Sequence, residues 1–313
     1  MPRRHRQARP HRRWSVLGAA VRDRRSGSKG DGLAAIGLTS PWTRATDDMR
    51  GVKLDGRTLK GAAMSQQRVA LVTGSGARRV GATVAEALAE RGFALAIHYR
   101  TSAREAEQSV ADWERRGVPA MAVPADLTQE SAVRAMIDQV LHRFGRIDVL
   151  VNSAAIWERK PLEEVTAADV RKHFETNTLG TFLCAQHAGL AMVRQPEGGL
   201  IVNIGDWAEV RPYLHYAAYF PSKGAVSTLT RCLAVELAHR NPKVRVNCVL
   251  PGPVMLPPDL PEDEKRQAIE ATLVKREGSP RHVALAVLSF LDNDFVTGVC
   301  LPVDGGRTVY APE

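Results

Sequence analysis

The 313-residue chain has little cysteine and spreads it widely. Cys184, Cys232, Cys248 and Cys300 form no Cys-x-x-Cys pair. That spacing argues against a structural zinc site or a disulfide frame, and predicts reduced thiols in a cytoplasmic protein. No apolar run approaches the roughly 18 residues of a membrane-spanning helix, so no membrane partner is expected. No internal repeat is present, which sets solenoid architectures aside. The body of the chain also lacks net charge. Residues 1–63 hold 15 Lys/Arg against 5 Asp/Glu, leaving 28 against 29 for the remainder, so the overall charge of +9 belongs to the N-terminal stretch.

That stretch, residues 1–63, is rich in Arg, Gly, Pro and Ser and has no sustained hydrophobic period. Arg12-Arg13 resembles the start of a twin-arginine export signal, but the apolar run that follows is short and ends in Arg22-Asp-Arg-Arg. A basic arm for nucleic acid would rest on charge alone, so nucleic acid is not an expected partner. A disordered tail is the simpler expectation. Met64-Ser-Gln-Gln-Arg leads directly into the first predicted strand, so the stretch also reads as sequence upstream of a natural start. The expected organisation is an extension over 1–63 and one catalytic domain over 64–313.

The body alternates short apolar runs with helical patterns. Arg68–Thr73 is continuously apolar after its first residue, as a buried parallel strand should be. Gly74, Gly76, Arg78, Arg79 and Gly81 follow in a loop that opens a helix. Strand, glycine-rich turn and helix make a phosphate cradle from backbone N–H groups and a helix N-terminus, although the spacing is not Gly-x-Gly-x-x-Gly. The second strand, Ala94–Tyr99, ends in His98-Tyr99-Arg100-Thr101-Ser102. An NAD site usually carries a carboxylate there for the ribose 2′-hydroxyl. Here a cation and hydroxyls stand instead, which predicts NADPH. Further strands are expected near 119–123, 147–151, 199–205, 244–249 and 299–303, with a long helix carrying Asn177. Residues 254–277 read as irregular, with a short helix after Pro261. Seven strands alternating with helices predict an α/β, Rossmann-type, doubly wound parallel sheet.

The stretch from Asp206 to Lys223 carries the chemistry. Tyr219 and Lys223 stand four apart, one above the other on a helix. A free tyrosine has a pKa of about 10. A neighbouring ammonium favours the phenolate and brings that value toward the working range. Many surface helices carry the same pair without function, so the pair gains its meaning from the motifs around it.

From Met64 onward the chain resembles the short-chain dehydrogenase/reductase family. The resemblance rests on Thr73-Gly74 with its loop, Asp126, Asn152-Ser153-Ala154, Asn177, Tyr219/Lys223, Pro251-Gly252 and Asp304-Gly305-Gly306. It implies that Tyr219 is the acid, Lys223 its ribose-binding partner, and Asn177 the holder of a relay water. It implies a cofactor site along the glycine loop, His98, Tyr99, Arg100, Ser102, Asp126, Leu127, Asn152, Ser153, Ala154, Pro251 and Gly252. It also implies a homotetramer. The family usually places a serine thirteen residues before the tyrosine; here Asp206 stands there. Asp206, Arg79-Val80-Gly81 and the strand-two end resemble the pteridine reductase branch, which implies a pterin-like substrate. The small-molecule substrate would then meet Arg79, Asp206, Tyr219 and an aromatic platform, for which Trp157 is the candidate; a core position facing away is the other reading of Trp157. Asp206 is likewise open between a role beside Tyr219 and a helix-cap or turn residue facing away. The nearest rival is a general carbonyl or 3-oxoacyl reductase; a non-catalytic NADP-binding regulator is a more distant one.

Overall fold

Val69–Thr73 (β1) is apolar because both of its faces are covered. In the computed structural model, which describes residues 67–310, Val69 and Leu71 enter one core, and Ala70 and Val72 enter the other. This is the two-residue period of a strand read on two buried faces. β1 lies inside a seven-stranded sheet ordered β3-β2-β1-β4-β5-β6-β7, every pair parallel. The other strands are Ala94–Tyr99 (β2), Ala120–Pro124 (β3), Val149–Asn152 (β4), Gly199–Ile204 (β5), Val244–Pro251 (β6) and Cys300–Val303 (β7). The doubly wound Rossmann-type sheet expected from the sequence is the observed one. The expectations for residues 1–63 and for a start at Met64 lie outside the described residues.

Two helical layers sandwich the sheet. On one face, Glu130–Phe144 (α3), Gly180–Val193 (α5) and Tyr219–Arg240 (α6) bury Met136, Val140, Leu183, Met192, Leu233 and Leu237. On the other, Val80–Glu90 (α1), Ala103–Arg115 (α2) and Pro280–Asp292 (α8) bury Val84, Leu88, Trp113, Val287 and Phe290. Each fully buried side chain of this size contributes about 1.5–3 kcal/mol relative to exposure. Removing one, as in Leu88→Ala, costs about 2–5 kcal/mol. The short helix after Pro261 is present as Glu262–Glu270 (α7), with Glu262, Asp263 and Glu264 in its first turn, where the helix dipole favours negative charge. Among the described residues, no helix is long and apolar enough to cross a membrane.

One expected helix is broken. The segment carrying Asn177 folds as Ala167–His173 (α4), a π-helical turn at Phe174–Leu179, and then α5. The Thr166 side chain and Asp169 close a capping box at the start of α4. The π turn brings Asn177 inward, where its Oδ1 accepts from Ile156 N (2.8 Å) and its Nδ2 donates to Ile156 O (3.0 Å) and Ser222 Oγ (3.0 Å). Apolar periodicity over 167–193 does not encode this. The inserted residue is specified by hydrogen bonds to segments distant in sequence, and such turns gather at functional sites.

Candidate active site

The strand order reverses at β1, whose neighbours are β2 and β4. Loops leaving β1 and β4 diverge there, and the crevice lies at the carboxyl ends of the strands. A cleft of about 910 Å³ opens at this point. Gly74 begins it. Its φ is +66°, and a Cβ there would stand 2.8 Å from the Ala154 backbone. Only glycine lets the two loops meet so closely. Thr73 Oγ1 draws them together by accepting from Ser153 N (3.0 Å) and Ala154 N (3.1 Å).

Several residues assigned from sequence to the cofactor also brace this half of the cleft. His98 is buried; its Nδ1 accepts from Gly74 N (3.0 Å) and its Nε2 donates to Ala125 O (3.1 Å). It is the neutral tautomer, and burial holds its pKa below the ordinary value. A Cβ on Gly76 would meet Ser102 Oγ and Tyr99 Cβ at 2.8 Å, so this glycine packs on the end of β2. Gly81 packs on Ser153 and the Gly74 carbonyl. The Asn152 side chain runs into the sheet, donating to Asn203 Oδ1 (2.9 Å), and Asn203 donates onward to Thr230 Oγ1 (2.9 Å) on α6. A strand-end asparagine can face either way, and the sequence carries no signal for this interior chain.

Of the assigned residues, Gly74, Arg78, Arg79, His98, Tyr99, Arg100, Ser102, Asp126, Leu127, Ser153, Ala154, Pro251 and Gly252 line the cleft. Arg78, Arg79 and Arg100 are exposed along one end of it. Among the described residues, none of the three is within 4.0 Å of a carboxylate. Asp126 accepts from Thr128 N (3.0 Å) and Thr128 Oγ1 (2.8 Å), and the Thr128 N–H above all holds its pKa down.

At the other end, β5 delivers Asp206 and α6 delivers Tyr219 and Lys223. Tyr219 Oη donates to Asp206 Oδ2 (2.8 Å), while Asp206 Oδ1 accepts from Ala208 N (2.9 Å) and caps a short 3-10 turn, Trp207–Glu209. Asp206 caps the turn and yet faces Tyr219 rather than away from it. Lys223 is buried and its Nζ donates to Ile204 O (2.6 Å). Burial lowers the Lys223 pKa, against the pull of the Asp206 charge. Burial raises that of Asp206; the Ala208 N–H, the Tyr219 hydrogen bond and the charges of Lys223 and Arg307 oppose the rise. Burial and then Asp206 push Tyr219 well above its ordinary value. Lys223, expected from sequence to favour the phenolate, is turned to a strand carbonyl here, and the carboxyl is the group in contact with Tyr219. The Asn177 side chain, expected to hold a water, spends both Nδ2 hydrogens on Ile156 and Ser222. It clamps the segment after β4 against α6.

The sequence reading missed an aromatic wall. Trp207, Tyr213, Tyr216, Tyr219 and Phe220 pack edge to face and face to face over 4.8–6.3 Å. Trp157 lines the cleft, 43% exposed, and stacks on Tyr216 with ring centres 5.1 Å apart and planes 7° from parallel. Arg79 and Trp157 thus share the cleft with Asp206 and Tyr219. Arg307 was also missed; its guanidinium lies 4.4 Å above the Trp207 ring. It directly follows the Asp304-Gly305-Gly306 turn, in which both glycines have positive φ.

The chain matches known proteins along most of the described residues. A family model described as enoyl-(acyl carrier protein) reductase matches residues 76–308. A 3-oxoacyl-[acyl-carrier-protein] reductase from Staphylococcus epidermidis is 34% identical over 242 residues, 76% of this chain and 97% of the relative. The crystal structure of acetoin dehydrogenase from Enterobacter cloacae superposes with a TM-score of 0.71 at 34% identity, covering 80% of this chain and 98% of that one. A blue fluorescent protein from a metagenomic library, solved in complex with NADPH, superposes with a TM-score of 0.70 at 33% identity, covering 77% and 97%.

Proposed function

The chain belongs to the short-chain dehydrogenase/reductase family and is a nicotinamide-dependent oxidoreductase; from that premise, we propose that it reduces C=O bonds with NADPH, Tyr219 supplying the proton. The contact between Tyr219 and Asp206 carries this reading. Reduction of a carbonyl places negative charge on oxygen, and a donor held at that oxygen stabilises it. Tyr219 is such a donor, and its raised pKa keeps the proton on through neutral pH. Oxidation would need the phenolate, which burial and Asp206 oppose. The buried Lys223 cation lies one helical turn along α6.

The residues at the far end of the cleft fit a dinucleotide with an extra phosphate. Arg78, Arg79 and Arg100 present guanidinium groups with no carboxylate within 4.0 Å among the described residues, and Ser102 adds a hydroxyl. Guanidinium forks match phosphate oxygens in pairs. The crystallised relative with NADPH supports the same preference. When bound, the cofactor supplies the hydride. The chain's own part is to hold it along β1 and β4, to keep the proton on Tyr219, and to shape the substrate pocket with Trp157, Tyr213 and residues 253–258.

A second reading is reduction of a C=N bond in a pterin-like heterocycle. The carboxyl of Asp206 could accept an N–H there, and the flat Trp157–Tyr216 stack offers a platform. The names of the relatives above favour the carbonyl reading. We take the assembly to be a cytoplasmic homotetramer, a family expectation to which exposed Val235 on α6 lends support. NADPH oxidation with acetoacetyl thioester, diacetyl and dihydrobiopterin separates the two chemistries. Turnover of the first two without the third is expected; turnover of dihydrobiopterin alone would replace the carbonyl reading with the second.

A further inference from the structure

Arg307 is a cation in the substrate half of the cleft that feels the charges of Asp206 and Asp304 but pairs directly with neither. Its guanidinium rests on the Trp207 ring, the residue next to Asp206, and it lines the same cleft as Tyr219. Among the described residues, no carboxylate oxygen lies within 4.0 Å of it and its side chain donates no hydrogen bond. The nearby acids are engaged elsewhere. Asp206 spends its oxygens on Tyr219 and Ala208, and Asp304 accepts from Gly306 N (2.9 Å) and Thr308 N (2.6 Å). The backbone is nonetheless fixed: Arg307 O accepts from Arg211 Nη1 at 2.8 Å.

A guanidinium partly removed from water and left unpaired is costly. A planar fork of donors regains that cost best from two oxygens of one oxyanion. The stacking on Trp207 aims the fork by fixing the plane of the group. We propose that Arg307 holds an oxyanion, a carboxylate or phosphate, carried by the substrate near its reacting carbonyl. Building on the carbonyl reading, this makes the natural substrates oxo acids or oxo phosphates and gives Arg307 the specificity. Attack geometry follows, since an anion pinned on the Trp207 side leaves the carbonyl to face Tyr219.

Two matched pairs test this. Acetoacetate is compared with methyl acetoacetate, and dihydroxyacetone phosphate with dihydroxyacetone, in the wild type and in Arg307→Met, which keeps an apolar stem on Trp207. Melting temperature of the variant checks that it folds. The wild type should favour one anionic member over its neutral partner by roughly tenfold or more in kcat/KM, the scale of one charge-assisted hydrogen bond. The variant should bring that ratio toward one, mainly through KM. The pair that responds tells carboxylate from phosphate. A wild type that treats both members alike, or a preference that survives in the variant, overturns the proposal. If no carbonyl compound turns over, the carbonyl reading fails separately. Titration calorimetry of acetoacetate and dihydroxyacetone phosphate into the NADP⁺-loaded protein then decides the Arg307 site: binding lost in the variant supports it, and no binding to the wild type overturns it.

Discussion

Tyr219 Oη donates a hydrogen bond to Asp206 Oδ2 across 2.8 Å, and the accepting carboxyl is held in place by the Ala208 N–H on its other oxygen. One side chain thus shapes the turn after β5 and, with burial as the larger cause, raises the proton affinity of the tyrosine. A carboxyl tied at one oxygen cannot swing away when the tyrosine releases its proton, so the pair behaves as one unit. Any substitution at 206 is therefore expected to alter both the turn and the acid.

Cofactor choice should depend on Arg100. Arg100→Ala should weaken NADPH binding about tenfold to a hundredfold, the value of a charge-assisted hydrogen bond of roughly 1.5–3 kcal/mol. NADH binding should change little. Fluorescence titration of both cofactors checks this, and equal weakening of the two would place Arg100 away from the extra phosphate.

His98 should make stability depend on pH. Its folded-state pKa lies below the ordinary 6.5 because burial disfavours the charged ring. The unfolded chain therefore takes up the proton more readily. The stabilisation is full above the unfolded pKa and is lost as pH falls through 6.5 toward the folded value. Between about pH 7 and pH 5, the wild type should lose more stability in urea than His98→Gln does. Parallel stability curves would show that the ring is not held neutral.

Asn177 should be a clamp before it is a relay. Asn177→Ala leaves Ile156 N, Ile156 O and Ser222 without their amide partner. Leaving buried groups unpaired costs about 1–3 kcal/mol each. The expected result is a melting temperature lower by several degrees and a larger change in KM than in kcat. A collapse of kcat with an unchanged melting temperature would return Asn177 to the role of water holder.

The sheet was legible because each strand is a short apolar run bounded by glycine or a helical pattern, as Val69–Thr73 and Ala94–Tyr99 are. Tyr219 and Lys223 were legible from helical spacing read with the motifs around them, and Asp206 from the resemblance that marks the position thirteen residues before the tyrosine. The bracing hydrogen bonds of His98 and Asn152 and the packing of Gly76 were not legible, because a strand-end polar residue or loop glycine carries no mark of which way it faces. That direction is set by contacts 20 or more residues away, such as Gly74 to His98 and Asn152 to Asn203. The π turn around Asn177 and the stacking of Arg307 on Trp207 are of the same kind. Both depend on tertiary partners that hydrophobic periodicity does not encode.

The pH profile of carbonyl reduction in the wild type and in Asp206→Ser tests the account at its centre. Asp206 raises the Tyr219 pKa by its charge and by its hydrogen bond, after burial. Serine removes the charge, so the tyrosine should lose its proton at lower pH. With the best carbonyl substrate, wild-type kcat/KM should hold to about pH 9 or beyond, near or above the ordinary tyrosine range. In Asp206→Ser the alkaline limb should move down by about one unit or more, the scale of removing a like charge at contact. Oxidation of the matching alcohol near neutral pH should rise in the same variant. An alkaline limb that stays in place or moves upward would contradict the claim that Asp206 holds Tyr219 as the acid.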